Sequence, residues 1–336
     1  MSYVEVVCLT RKAKQEFLCF ADFEFTCGKG ISRWKCEILS VGFVICDDKY
    51  RIKENFYCTC RPNKYPQMTE ECKNLTLLSQ EDINNSPDSD DVMSAAVRLV
   101  HKYNIKKVFV WGNFDKPALK SDIRIHKKLK KEYLHINRIC SIILDIQDEM
   151  VKKMNLPQAV NIKELAGAFG FVPSSGTFHN ALNDALALFT IYRSIYTTDF
   201  ENNQDFLKIK SDRIEKIETQ KHIVEEKRKK IALSLPLNEK EKIYYNKICE
   251  SNSEEYISEF IFLRYKCISS IQNNPDDLFF YFVVFNDKTN IKVVPESKYE
   301  TEKNRSAIRV ERFAKSQFSA VVLKECYMRK KSHSTI

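Results

Sequence analysis

The chain has twelve cysteines but no Cys-x-x-Cys pair, and Cys58 and Cys60 do no more than share one face of a predicted strand. That spacing argues against structural zinc, whose thiolate ligands come in close pairs. No apolar stretch is long enough to span a bilayer and no leader-like segment opens the sequence, so no membrane role is expected. The cysteines are then expected to be reduced core residues of a cytoplasmic protein. Acid is in deficit, with 45 Asp and Glu against 54 Lys and Arg, a formal net charge of +9. The excess suits a polyanionic partner bound in a salt-sensitive way, although a modest lysine surplus also serves solvation.

At 336 residues the chain exceeds one ordinary domain. Residues 17–25, 38–46 and 52–60 are apolar runs that predict three successive strands. After a polar turn at 84–91, the pattern predicts a helix over 92–103, a strand over 107–111, a helix over 117–133, a strand over 138–144, and helices over 162–169 and 179–196. Strands that alternate with helices in the later half imply parallel pairing there, and an α/β class.

Within the first strand, Asp22 and Glu24 stand two residues apart and project to the same face. Adjacent carboxylates on a core strand repel and lose hydration unless protons or cations compensate, and a metal site is one remedy. Two solvated acids at a strand end would be the plainer account. Asp115 follows the β-rich run ending at Gly112 and stands just before Lys116-Pro117, a position that also suits a helix N-cap. His179 and Asp184 open an apolar helix. Their five-residue step turns about 500°, which brings them to one site if the histidine occupies a frayed first turn.

Taken together, the strand pair, the strand-to-helix Asp and the helix-start His-x-Ala-x-x-Asp resemble the three motifs of the DEDDh (DnaQ-like) 3'-5' exonucleases. Asp22-Phe-Glu-x-Thr-Cys27, Glu37-Ile38 followed by Gly42, Arg61-Pro62, Cys72-x-x-Leu-Thr76, Trp111-Gly-x-x-Asp115 and Leu144-Asp-Ile-Gln147 are similar to the Eri-like and KapD-like branch, over residues 15–197. Phe25 replaces a frequent Ala and Asn183 a frequent Asp, but neither departure removes a ligand.

The resemblance implies an RNase H-like mixed five-stranded sheet flanked by helices, with Asp22, Glu24, Asp115 and Asp184 holding two Mg²⁺ or Mn²⁺ ions. Oxygen-only ligands favour these ions over zinc. Asp22 would bridge both ions, and His179 would take the proton of the attacking water, a task that suits imidazoles in general. Thr26, Phe25 and Trp111 would contact substrate, Thr26 at the terminal 3'-hydroxyl. Single-stranded RNA 3' ends are the expected substrate. A DNA exonuclease of repair or proofreading type, and a non-catalytic nucleic-acid-binding or assembly module, stay open beside it.

Domain 1–197 would carry the exonuclease. The polar stretch 197–204 reads as a boundary, and 205–336 as a helical linker plus an unrecognised α+β module that could support homo-oligomerisation. In that module, residues 205–232 carry a weak heptad hint, 239–249 and 254–270 predict helices, and 278–285, 290–294, 306–313 and 318–324 predict strands. Phe279-Phe-Tyr-Phe282 reads as strand core, or as a stacking platform for bases. The basic Arg329-Lys-Lys331 reads as a disordered tail.

Overall fold

The computed structural model of the protein describes residues 16–173, 178–285, 290–302 and 307–333. Ser306, the first residue of the strand predicted over 306–313, lies outside the described residues. The chain divides into two compact units, Met1–Ile214 and Glu215–Ile336. In the first, strands β1 (Phe17–Phe25), β2 (Ile38–Asp47) and β3 (Ile52–Thr59) precede helices α1 (Glu70–Thr76), α2 (Gln80–Asn84) and α3 (Ser89–Lys102). Then come β4 (Val108–Val110), α4 (Asp115–Lys128), α5 (Leu134–Ile142), β5 (Ile143–Asp145), α6 (Gln147–Lys153), α7 (Ile162–Ala168) and α8 (Ala181–Thr197).

The strands form one five-stranded sheet in the order β3-β2-β1-β4-β5. The pairs β1–β2 and β2–β3 are antiparallel, whereas β1–β4 and β4–β5 are parallel, which is the expected mixed RNase H-like arrangement. Every residue of β2 is buried, as its continuous apolar run requires of a strand covered on both faces. Edge strand β3 alternates exposed and half-buried residues and carries Lys53 and Glu54, charges that discourage edge-to-edge pairing.

Alternation along β1 separates two cores. Cys19, Ala21, Phe23 and Phe25 enter the layer under α3, α4 and α5, while Phe20 packs on the opposite face among α6, α7 and α8. The Phe20 ring lies 5.7 Å from Phe189 and 5.1 Å from Tyr192 of α8. It fixes that helix to the sheet face on which Asp22 and Glu24 also fall.

Residues 138–144 are not one strand, contrary to the expectation. Helix α5 takes residues through Ile142, and only Ile143–Asp145 pair with β4. Its buried Ile136, Ile139 and Cys140 follow helical spacing, and its start is held from another helix: Asp90 of α3 accepts the amides of His135 at 3.2 Å and Ile136 at 3.1 Å. Tyr133 at the cap position makes no side-chain bond, so no local signal marked this helix start.

A buried histidine pins α3 to α4. His126 is 0% exposed, with Nδ1 2.6 Å from Asp122 and Nε2 3.0 Å from Asp88. Asp122 also accepts the Ile38 amide at 2.7 Å, and Asp88 caps α3, so the pin reaches the start of β2. Burial alone would lower the His126 pKa, but the bonds and charges of Asp122 and Asp88 outweigh it and hold the imidazole at about 9.

The second unit holds α9 (Gln204–Ala232, which begins in the first unit), α10 (Glu239–Glu250), α11 (Glu254–Asn273), β6 (Phe279–Phe285), β7 (Ile291–Pro295), α12 (Glu296–Glu302), β8 (Ala307–Ala314) and α13 (Phe318–His333). Its antiparallel sheet has the order β7-β6-β8. Phe206 and Ile209 of α9 pack into the first unit's core, so the compact units part beyond the polar 197–204 stretch.

Residues 318–324 form helix, not the expected strand. Val321, Val322 and Cys326 recur at helical spacing and bury against the core of α11, a pattern that a short apolar run leaves ambiguous. The backbone of 329–331 continues that helix, so the tail expected to be disordered is helical. Phe280 and Phe282 are wholly buried in core, whereas Phe279 and Tyr281, on the other face of β6, are half-buried. Arg264 and Glu241, both 0% exposed, pair at 2.8 Å, and Arg264 also donates to the carbonyls of Ala232, Leu235 and Pro236.

His126→Ala leaves two acids without their shared partner and should cost on the order of 3 kcal/mol near pH 6. The folded pKa exceeds the ordinary value of about 6.5, so the contribution is complete below that pH and fades as pH rises through about 9. Urea unfolding of wild type and variant at pH 6 and pH 10 checks this. An equal difference at both pH values would show that the imidazolium is not the pin.

Candidate active site

Asp22 and Glu24 emerge near the end of β1, where Asp22 pairs across the ladder with Gly42 of β2. Gly42 is there because nothing larger fits. A Cβ at this position would stand 2.2 Å from the carbonyl carbon of Ala181 and 2.3 Å from the Leu182 nitrogen. The first turn of α8 therefore rests directly on the β2 backbone, and Asp184, one turn in, reaches the acids of β1.

His179 does not occupy a frayed helical turn, as the sequence led us to expect. The helix begins at Ala181, capped by Asn180, whose side chain accepts the amides of Leu182 at 3.1 Å and Asn183 at 3.2 Å. His179 precedes that cap in the left-handed region, φ +64°, and its amide donates to Asp184 Oδ2 at 2.9 Å. A reversed backbone, rather than helical phase, thus brings histidine and aspartate together.

Asp115 is the first residue of α4 and is buried. The preceding cap position, Phe114, makes no side-chain bond, so the carboxylate is not an N-cap. Its approach is set by Asp145 at the end of β5, whose Oδ1 accepts the amides of Gly112 at 2.8 Å and Gln147 at 2.9 Å. Gly112, with φ +93°, turns the chain between β4 and α4. Asn180 was not singled out from the sequence, and Asp145 entered only as part of the motif Leu144-Asp-Ile-Gln147, with no role assigned. A cap residue before an apolar helix was a usable signal for Asn180, whereas the bond from Gly112 to Asp145 joins residues distant in sequence and no local pattern shows it.

The four carboxylates feel one another. Burial, then the charges of Glu24, Asp115 and Asp184, push Asp22 well above the ordinary range. Burial, then Asp184 and Asp115, push Glu24 up to about 8. Burial lifts Asp115 to about 7 against the pull of its own amide, with Asp145 adding. Burial also lifts Asp184 to about 6, opposed by the His179 amide. Such a group cannot carry its full charge near neutral pH without a compensating cation.

Divalent metal fits the residues present. Asp184 Oδ1 is buried without a hydrogen-bond partner, and ligand atoms of Glu24, His179 and Asp184 lie within 4.8 Å of one another. His179 is exposed and within reach of the same point, so its geometry serves a base or a ligand.

The expected substrate contacts differ in their placement. Trp111 follows β4 directly and packs against the core on the α6–α8 side of the sheet, with its Nε1 buried without a partner. The Thr26 hydroxyl accepts the Glu37 amide at 2.9 Å, and Glu37 in turn accepts the amides of Asn63, Lys64 and Tyr65. Phe25 lies on the sheet face opposite Asp22 and Glu24, 5.8 Å from the Phe114 ring, and its side chain fills core.

Gly42→Ala should drive the start of α8 off the sheet and weaken Mn²⁺ binding at least tenfold by calorimetry, at a stability cost of about 1 to 3 kcal/mol. Wild-type affinity in that variant would mean that the helix start does not set the site. Raised carboxylate pKa values also mean that the metal-free fold holds protons that the unfolded chain releases near pH 4, so its stability falls as pH climbs toward 8. Thermal melts with and without Mg²⁺ should show a larger gain at pH 8 than at pH 5. A gain indifferent to pH would contradict these shifts.

Comparison with known proteins bears on the same residues. The family model described as Exonuclease (RNase_T) matches residues 19–192, more than half of the chain. Among curated proteins, the chain is 24% identical over 184 residues to the probable 3'-5' exonuclease KapD of Bacillus subtilis (strain 168), covering 53% of this chain and 83% of that protein. Among solved structures it is similar to one described as 3'-end specific recognition of histone mRNA stem-loop by 3'-exonuclease, at 18% identity and a TM-score of 0.47, over 55% of this chain and 65% of that one. Another is the nuclease domain of 3'hExo, a DEDDh family member, bound to rAMP, at 16% identity and a TM-score of 0.46, over 55% and 94%. The resemblance read from the motifs is borne out by the family match, and the chain belongs to the exonuclease family RNase_T.

Proposed function

We propose that this chain is a metal-dependent 3'-5' exonuclease that hydrolyses single-stranded RNA from its 3' end, with residues 1–197 as the exonuclease domain and 205–336 as an accessory region. The observation that carries the reading is the convergence of Asp22, Glu24, Asp115 and Asp184 beside His179, with Asp184 Oδ1 buried and unpartnered. The direction of attack follows the curated relative's description, and RNA follows the motif details shared with the Eri-like branch.

Asp22, Glu24, Asp115 and Asp184 would hold two Mg²⁺ or Mn²⁺ ions. When bound, such ions neutralise phosphate charge and acidify water. His179, exposed and fixed through its amide to Asp184, would accept the proton of the attacking water at a ring nitrogen. The Thr26 hydroxyl accepts the Glu37 amide and keeps its own hydrogen to donate to a terminal 3'-hydroxyl. The unpaired Trp111 Nε1–H is available to an acceptor on the bound nucleotide.

End-labelled single-stranded RNA and DNA, digested side by side, test the substrate. RNA should shorten from the 3' end, and EDTA should stop it. Faster digestion of DNA would overturn the RNA assignment, and activity in excess chelator would overturn metal dependence. Asp22→Ala should be the harshest single change. His179→Ala should lower turnover by about 10² to 10⁴ while Mn²⁺ binding survives, and loss of Mn²⁺ binding would make the histidine a ligand.

A further inference from the structure

The second unit contains a group of cations with which no carboxylate of the described residues forms an ion pair. A cavity of about 400 Å³ between α11 and β7 is lined by Lys266, Lys292 and Lys298, together with Tyr265, Ser269 and Asn273, and among the described residues no Asp or Glu lines it. Arg228 of α9 stands behind it, its guanidinium 5.9 Å from the centre of the Tyr265 ring and 5.8 Å from that of Phe262. Lys266 is half-buried, with its ammonium 5.3 Å from the Phe262 ring centre.

Neighbouring acids are engaged elsewhere. Glu296 pairs with Arg312 at 2.8 Å, and Asp277 accepts both the amide and the hydroxyl of Ser297. Lys298 is held toward the cavity rim by Asn274, whose Oδ1 accepts from its Nζ at 2.9 Å. Burial, then Arg228 and Lys292, lower the Lys266 pKa, as mutual repulsion of cations in a shared recess requires. Contrast the same unit's Arg264, which is buried but matched to Glu241. An unmatched cluster costs stability and is relieved by a bound anion.

We propose that this recess between α11 and β7 binds backbone phosphates of single-stranded nucleic acid, with Lys266, Lys292 and Lys298 as the phosphate contacts and Tyr265 as a ring on which a base can stack. A strand presents phosphates and bases together, and the recess offers cations beside an aromatic ring; a free phosphate would use the lysines alone. The choice of ligand rests on the proposed function, but the site itself is separate from the carboxylates.

The test uses the full chain and a fluorescein-labelled single-stranded oligouridylate, with anisotropy read in EDTA so that no turnover is needed. Lys266→Gln with Lys292→Gln should weaken binding and reduce the slope of log affinity against log salt by about 1.4, roughly 0.7 for each lost contact. Metal-supported hydrolysis of a dinucleotide should be unchanged. Both variants should melt at or above the wild-type temperature because repulsion is relieved; if the pair fails to fold, the exposed Lys292→Gln and Lys298→Gln carry the same measurement.

Unchanged affinity and slope would overturn the site. So would displacement of the oligonucleotide by equimolar inorganic phosphate, which would assign it to the free ion, or equal binding of polyglutamate, which would make it a general polyanion surface. Lysine-dependent binding in a chain that degrades no RNA or DNA would support the recess while sinking the exonuclease reading. Exonuclease activity without lysine-dependent binding would do the reverse.

Discussion

Asp22, Glu24, Asp115 and Asp184 are held where burial and mutual repulsion both oppose their charge, and much of the first unit is built around keeping them there. Each comes from a different kind of support. The pair on β1 is fixed by its ladder with β2, Asp115 by a turn tied to Asp145, and Asp184 by a helix seated on a bare glycine backbone. A cluster of this sort is unfavourable to the metal-free fold and favourable to whatever cation it receives, so the site is an affinity held in reserve as electrostatic strain.

The stability that permits such strain lies in elements remote from it. Phe20 joins α8 to the sheet, His126 bridges two acids on α3 and α4, and Glu37 gathers three successive amides of the loop after β3. In the last two a buried polar group has its partners, which is the ordinary condition of a protein interior. Among the described residues Ser40 Oγ, Trp111 Nε1, Ser121 Oγ, Asp184 Oδ1 and Arg309 Nε depart from it, and of these Asp184 Oδ1 belongs to the carboxylate group. An unpartnered carboxylate oxygen beside three further acids is suited to completion by a cation.

The second unit repeats the contrast with opposite sign. Arg264 is sunk in core and fully matched by Glu241 and three carbonyls, so it organises the turn between α9 and α10. Lys266, Lys292 and Lys298 have no such carboxylate match among the described residues and line a recess.

The sequence alone determined which residue types were available and their order along the chain. Alternation on β1 placed Asp22 and Glu24 on one face, and the burial of β2 followed from its composition, because side-chain direction on a strand is a local property. Tertiary structure decided the rest. Residues 138–142 became helix because Asp90, distant in sequence, caps α5, and 318–324 became helix because α11 offered a surface for Val321 and Val322. The left-handed turn at His179 and the contact of Ala181 with Gly42 arise only when α8 meets the sheet. Close approach and long-range capping are relations between distant segments, and local propensity carries no record of them.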